Sequence, residues 1–207
     1  MYKLFIIPKK IERNEDMEET KILKLTLPLP SSINHIYGRN KFGSTYLKKE
    51  GKDYKKINGE YIKQEVVKQG WDKLLEFEYC YLDEVVYMNK KGRDSDNLKK
   101  LTQDTITECE VVWFDDTYCM PRTNRIYIDK NNPRIEITLT PTNTIGIFDN
   151  NADFECFETK CKTCSSYKDG RCSVLVGSQE NKINEHTELI DNKWICNKFK
   201  INKKKVK

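Results

Sequence analysis

The 207-residue chain is long enough for one full domain and a small appendage, with 37% hydrophobic and 33% charged residues. Its net charge of +5 sets 37 basic against 32 acidic residues, a mild balance that is compatible with DNA but does not establish it. No segment approaches the roughly 18 apolar residues that a membrane span requires. The short apolar patch at the N-terminus is a poor secretion signal, so a cytoplasmic protein without membrane contact is expected.

The first two thirds of the chain predict strands and helices in mixed order. The predicted elements are a charged N-terminal extension (1–20), a strand (22–28), a loop (31–44), a helix (48–70), strands (74–81 and 84–89), a helix (97–109) and a strand at 124–128 or 134–140. Strands are called from alternation and proline boundaries, and helices from three- and four-residue spacing. This order predicts an α+β fold, a mixed β-sheet with helices packed on one face.

Two basic segments are candidates for binding a phosphate backbone. Arg39 and Lys41 lie in the first predicted loop, where a simple solvated loop is an equally good explanation. Lys90, Lys91 and Arg93 stand immediately before a group of acidic residues. Cations at this second position would offset the repulsion between carboxylates and phosphate and would lend salt-dependent affinity.

Acidic residues gather around a single predicted strand-to-helix unit between residues 93 and 116. Asp94 and Asp96 are two apart, so at the end of a strand both carboxylates point to the same side. Asp96, Lys100 and Asp104 then recur every four residues along one helix face. Such oxygen ligands suit Mg²⁺, which binds one or two carboxylates and keeps several waters. A helix cap with lysine–carboxylate pairs on a solvated face explains the segment equally well.

The order of the surrounding motifs resembles the RusA family of Holliday junction resolvases, small dimeric endonucleases encoded largely by phages and prophages. The sequence runs LTLPLPSSINHIYGR, then RDSDNLKK, then WFDD, then a terminal strand RIEITLT. The resemblance covers roughly residues 24–140. Its most specific parts are the Asp-x-Asp-Asn-Leu-x-Lys core at 94–100, Asp104 further along the helix and the Asp115–Asp116 pair. The proline-flanked Ser-x-Asn at 32–34, with Tyr37, supports it.

The resemblance implies that Asp94, Asp96 and Asp116 form a catalytic cluster that holds Mg²⁺, and that Lys100 is the family's essential lysine. The supporting residues are Asn97, Asp104 and Asp115. It further implies a structure-selective endonuclease that resolves four-way DNA junctions by symmetric nicking as a homodimer, in recombination and repair. The alternatives are a non-catalytic zinc-knuckle DNA-binding protein and a related nuclease acting on forks, flaps or RNA.

The residue content of the chain, considered apart from this resemblance, favours the same chemistry. Two histidines are too few for a histidine-rich metal site, and no phosphate-binding Gly-x-x-x-x-Gly-Lys-Ser/Thr loop is present. Metal-assisted phosphodiester hydrolysis needs clustered carboxylates, divalent ions, a positioned water and nearby cations. The carboxylates and cations of that set are present in the sequence.

The composition shifts near Pro141, which predicts a nuclease domain (21–142), a linker (143–155) and a cysteine-rich module with a basic tail (156–207). Four cysteines have the spacing of a structural zinc site: Cys161, Cys164, Cys172 and Cys196. Cys156 is a possible substitute ligand. A cytosolic setting disfavours disulfides, whereas four cysteines alone do not separate zinc from an iron–sulfur cluster. The remaining cysteines, Cys80, Cys109 and Cys119, are predicted to be buried thiols.

Overall fold

The structure is a computed structural model that describes residues 21–31, 33–92 and 96–203, without the side chains of residues 33, 34 and 96–98. The extension at 1–20, together with Ser32, Arg93, Asp94, Ser95 and residues 204–207, lies outside the described residues. The strands are β1 (Leu23–Pro28), β2 (Tyr37–Arg39), β3 (Thr45–Leu47), β4 (Cys80–Met88), β5 (Cys119–Ile128), β6 (Arg134–Pro141), β7 (Thr187–Ile190) and β8 (Lys193–Cys196). The helices are α1 (Ile33–Ile36), α2 (Lys49–Gln69), α3 (Asp96–Glu108), α4 (Asn151–Lys162) and α5 (Ser173–Gln179).

A four-stranded mixed sheet in the order β1-β6-β4-β5 organises the larger part of the described chain. β6 runs antiparallel to both β1 and β4, whereas β5 runs parallel to β4. Buried and outward-facing residues alternate along β1 and β4 because successive side chains of a strand point to opposite faces. The buried face packs against α2 and α3 through Ile62, Val66 and Ile106. The predicted α+β class with a mixed sheet is confirmed.

The strands predicted at 74–81 and 84–89 are one strand, β4, which begins only at Cys80. β4 continues through Asp83 because this carboxylate lies on the face away from the core. There, Nε and Nη2 of Arg122 on β5 donate to its two oxygens, at 2.9 and 2.7 Å. Leu74 is buried, but it lies in the loop that precedes the strand. An apolar residue in a loop was therefore mistaken for part of a strand.

The two long helices over the sheet begin and end within one residue of the predicted positions. α2 ends at Gly70, whose φ of 63° lies in the left-handed region that glycine adopts without strain. α3 buries Leu101, Thr105 and Ile106. Neither these helices nor the others in the described ranges are long and apolar enough to cross a membrane.

A second, smaller core lies beyond β6. Its buried residues are Ile147, Phe148, Phe157, Cys161, Val174 and Leu175. Two of them, and the start of α4, fall within the stretch 143–155 that was predicted as a linker, so the chain is packed there. The hydroxyl of Tyr79 donates to the carbonyl of Gln179 at 2.9 Å and joins this part to the sheet. The proposed domain boundaries stay predictions.

Candidate active site

Carboxylates from two segments of the chain approach one another before the start of β5. Asp104 projects from α3, and Asp115 caps the 3₁₀ turn that begins at Asp116. Partial desolvation raises the pKa of the Asp116 carboxyl, and the negative charge of Asp115 and then of Asp104 raises it further. The three carboxylates therefore repel one another. Hard oxygen donors of this kind are the ligands that Mg²⁺ prefers. Within the described residues, however, these carboxylates do not form a group of three or more that could hold a metal ion.

Asp115 and Asp116 have different surroundings although they are adjacent. Oδ1 of Asp115 accepts a hydrogen bond from the backbone N–H of Thr117 at 2.9 Å, which caps the 3₁₀ turn. Hydrogen bonds from the side chain and then the backbone of Thr117 lower the pKa of Asp115. Asp116 is exposed to solvent. The geometry thus favours Asp115 as a structural carboxylate and Asp116 as one that an incoming ion can reach.

Asp104 is held by groups from two other elements. The hydroxyl of Tyr37 on β2 donates to Oδ2 of Asp104 at 3.5 Å. Nζ of Lys55 on α2 lies 3.8 Å from the same oxygen, and 2.5 Å from Oε1 of Glu108. The side chain of Lys55 is only 14% exposed, so its ion pairs are better shielded from water than surface pairs are. These contacts fix Asp104 beside the other two carboxylates.

The remaining predicted site residues lie along α3 or outside the described part. Asp96 is the first residue of α3, but its side chain and that of Asn97 are not described, and Asp94 lies wholly outside the described residues. Lys100 is exposed. It stands four residues before Asp104, hence roughly 6 Å along the same helix face. A cluster that joins Asp94 and Asp96 to the three described carboxylates stays a prediction.

Glu84 is a candidate site residue that the sequence reasoning missed. It is fully buried in β4, and its Oε2 lies 3.8 Å from Nζ of Lys99 in the first turn of α3. The charge of Glu84 also acts on the thiol of Cys119, at the start of β5. Contact with Cys80 and burial are the larger causes that raise the pKa of this thiol. The nearby charges of Glu84 and Asp116 raise it further. A signal was available, since Glu84 occupies an inward position of an alternating strand where an apolar residue is expected.

The described DNA-binding candidates are exposed and lie on two turns. Arg39 is the last residue of β2, and Lys41 follows it in the turn to β3. The adjacent Phe42 is 81% exposed, with Nζ of Lys41 5.2 Å from its ring centroid. Lys90 and Lys91 lie in the turn after β4, on the connection to α3. Arg93 lies outside the described residues.

The cysteines of the chain are all free thiols, so the disulfide alternative receives no support. Cys80 and Cys109 are buried as predicted, while Cys119 is half-buried. The predicted zinc ligands, Cys161, Cys164, Cys172 and Cys196, line one cavity. Burial raises the pKa of Cys161 to about 12, and its three neighbouring cysteines contribute. Within residues 21–31, 33–92 and 96–203, however, no group of three or more His, Cys, Asp or Glu could hold a metal ion. Zinc therefore gains no support.

The fold and site define a class: an α+β protein with a mixed sheet, in which carboxylates of α3 and of the 3₁₀ turn before β5 influence one another electrostatically. The sequence model of the family Endodeoxyribonuclease RusA matches residues 28–140, just over half of the chain, and the chain belongs to that family. No curated protein matches the sequence at a significant level. Membership supports a nuclease with DNA as its substrate. The cysteine-lined cavity lies outside the matched residues.

Proposed function

We propose that this protein is a Mg²⁺-dependent endonuclease that resolves four-way DNA junctions by paired symmetric nicks, as a homodimer, in recombination and repair. The observation that carries the proposal is the match of residues 28–140 to the RusA family. Within that segment Asp115 and Asp104 lie near enough to Asp116 for their charges to help raise the pKa of its carboxyl. Asp94 and Asp96 belong to the same segment and complete the proposed metal-binding set with Asp116.

The carboxylates bind the ion and set its position relative to the DNA. Asp94, Asp96 and Asp116 would hold Mg²⁺, which would supply an activated water and offset charge on the attacking and leaving oxygens. Desolvation, and then the charges of Asp115 and Asp104, raise the pKa of Asp116, and its charged form is the one that would bind the cation. Asp115 remains engaged with the backbone of Thr117 and holds the turn on which Asp116 stands.

The cationic residues act on the phosphate and on the site's geometry. Lys100 lies on the same helix face as Asp104 and neutralises negative charge that builds on the scissile phosphate. Lys55 and Tyr37 position Asp104 through its Oδ2 atom and do not touch the DNA. The proposed site thus separates a lysine that contacts substrate from a lysine that orients a carboxylate.

DNA reaches the carboxylates along the turn between β2 and β3. Tyr37 at the base of this hairpin contacts Asp104, while Arg39, Lys41 and Phe42 are exposed towards its tip. Cations bind the phosphate backbone irrespective of sequence, and an exposed aromatic ring can stack on an unpaired base. Open four-way junctions offer both features at the branch point.

The test is cleavage and binding of a synthetic four-way junction by the Asp94→Ala variant. Cleavage should be lost while binding is retained or tightened, because the carboxylate repels phosphate when no metal is bound. Asp149→Ala, at an exposed aspartate outside the matched segment, is the control and should cleave normally. Joint loss of binding and cleavage in Asp94→Ala would identify a structural carboxylate instead and overturn its assignment.

A further inference from the structure

An open groove between α2 and α3 carries an excess of positive charge. Four lysines line it, against two glutamates: Lys52, Lys55, Lys56 and Lys63, with Glu60 and Glu108. The buried residues of the groove are small, namely Gly59, Thr105 and Cys109. The two segments are in contact there, because Sγ of Cys109 lies 3.6 Å from the carbonyl oxygen of Gly59. Long charged side chains therefore surround a small, buried floor.

The lysines of α2 divide into those that are ion-paired and those that are not. Four of them pair with carboxylates: Lys49, Lys55, Lys63 and Lys68. The other two, Lys52 and Lys56, are exposed, and neither pairs with a carboxylate of the described residues. Both of these lysines line the groove. The positive charge that α2 leaves without a partner in this part of the chain therefore faces the groove.

The two glutamates of the groove are neutralised by the other two lysines that line it. Oε1 of Glu108 lies 2.5 Å from Nζ of Lys55, and Oε1 of Glu60 lies 3.1 Å from Nζ of Lys63. The second pair is largely exposed, and surface pairs of this kind are weak. Neither glutamate is paired with Lys52 or Lys56, so the excess charge of these two lysines remains available to an anionic partner.

The groove adjoins the carboxylates of the proposed active site. Lys55 lines the groove, and its Nζ lies 3.8 Å from Oδ2 of Asp104. Leu47, the last residue of β3, also lines the groove, so the base of the β2–β3 hairpin borders it. Lys52 and Lys56 are four residues apart, hence about 6 Å along α2. A DNA strand near Asp104 would therefore have cations within reach on the groove side as well as on the hairpin.

We propose that this groove binds the phosphate backbone of a DNA arm next to the cleaved strand, with Lys52 and Lys56 as the phosphate contacts. The inference rests on the proposed function, because it takes DNA as the substrate and adds a second contact surface to the β2–β3 hairpin. Lysine binds phosphate as a point charge, irrespective of base sequence. The position of the groove beside Asp104 favours DNA over an acidic protein segment as its occupant.

The experiment measures the salt dependence of DNA binding by the full-length Lys52→Ala/Lys56→Ala double variant. Binding to a linear duplex and to a four-way junction is followed by fluorescence anisotropy in EDTA, so that no cleavage occurs. Each phosphate contact that is lost reduces the slope of log K against log salt by about 0.9. The slope of the double variant should therefore fall by about 1.8 on the duplex, with weaker binding at low salt. A slope equal to that of the wild-type protein would overturn the proposal.

Two further double variants separate the groove from the net charge of the protein. Lys49→Ala/Lys68→Ala removes the same charge from the same helix, but at lysines that pair with carboxylates and do not line the groove. Its slope should match that of the wild-type protein. Lys52→Arg/Lys56→Arg keeps both charges and should keep the slope as well. An equal fall in the slope of Lys49→Ala/Lys68→Ala would mean that net charge alone is measured, and would contradict the assignment.

Cleavage by the wild-type protein distinguishes this inference from the proposed function. If the protein cuts junctions symmetrically while Lys52→Ala/Lys56→Ala keeps the wild-type slope, the proposed function stands and the groove is not a DNA contact. If the slope falls on the linear duplex while the wild-type protein cuts no junction, the groove binds DNA and the proposed function is wrong. A wild-type protein that binds neither DNA overturns both.

Discussion

Asp115 and Asp116 are adjacent and chemically identical, but local contacts give their side chains different exposure and pKa. Asp115 accepts the backbone N–H of Thr117 and has a lowered pKa, whereas Asp116 is exposed and has a raised pKa. A carboxylate already bonded to the backbone has less capacity left for a cation. Asp115 is thus the capping residue of the pair, and we expect Asp116 to be the one that binds metal.

The matched variants Asp115→Asn and Asp116→Asn test this division. Asparagine caps as well as aspartate does, so Asp115→Asn should retain most of the cleavage activity. Asp116→Asn removes a charged ligand and should lower the cleavage rate by roughly 100-fold or more, since the metal contributes several kcal/mol to stabilising the transition state. The measurement is single-turnover cleavage of a four-way junction in saturating Mg²⁺. Equal losses in the two variants would contradict the assignment.

Individual site residues were predictable from sequence to different extents. The Asp115–Asp116 pair and Asp104 were singled out because motif order and four-residue helical spacing can be recognised in the sequence itself, and their role stays a prediction. The contacts that hold Asp104 were not, because Tyr37 and Lys55 are far from it in sequence and the fold alone brings them together. Glu84 was not predicted, because it is a charged residue at a buried position of a strand, where an apolar residue is the norm.

At the scale of elements, the β2–β3 hairpin is expected to bind DNA through one cation and one ring. Lys41→Ala should weaken junction binding and reduce the slope of log K against log salt by about 1, since one fewer counterion is released. Phe42→Ala should weaken binding by roughly 1–3 kcal/mol while leaving that slope unchanged, because stacking releases no counterion.

Fluorescence anisotropy over a range of salt concentrations measures both effects. Lys182→Ala provides the control, because Lys182 pairs with Glu180 outside the family-matched residues. Its binding curve and salt slope should match those of the wild-type protein. If Lys41→Ala and Phe42→Ala also bind like the wild-type protein, the hairpin does not contact the DNA and the proposed path is wrong.

The elements themselves were largely predictable, and the errors have physical causes. α2 and α3 follow from helical spacing, and β1 from alternation ended by prolines. β4 was predicted as two strands, at 74–81 and 84–89, but it runs unbroken through Asp83, whose partner Arg122 is 39 residues away in sequence. The start of α4 was called a linker because polar and proline residues hid the buried Ile147 and Phe148.

At the scale of the whole molecule, β5 is an edge strand of the main sheet that the described residues form. Its residues Ile126, Tyr127 and Ile128 are 50%, 47% and 44% exposed, on both faces of the strand. An unpaired edge with exposed apolar side chains is a template for pairing with another chain. Pairing of two β5 edges about a twofold axis would give the proposed homodimer two related sites, as symmetric cutting requires.

Ile126→Lys should therefore shift the protein from dimer to monomer in analytical ultracentrifugation and replace paired nicks by single nicks. The control is Leu189→Lys, which places the same charge at an exposed apolar residue of the β7–β8 hairpin, with 53% exposure. It should remain dimeric. A wild-type protein that sediments as a monomer at the assay concentration would remove β5 as a dimer interface. The sequence pattern could not reveal this edge, because the spacing of apolar residues in one strand does not show whether another chain pairs with it.

The measurement that tests the central claim most directly is cleavage by the wild-type protein of a four-way junction beside linear duplex, fork and RNA substrates, with Mg²⁺ and with EDTA. Nicks are mapped on every strand. The account predicts nicks at symmetric positions on two opposing strands of the junction, in Mg²⁺ alone, with little cutting of the other substrates. Binding without cleavage in Mg²⁺ and other divalent ions, or equal cleavage of linear duplex, would contradict it.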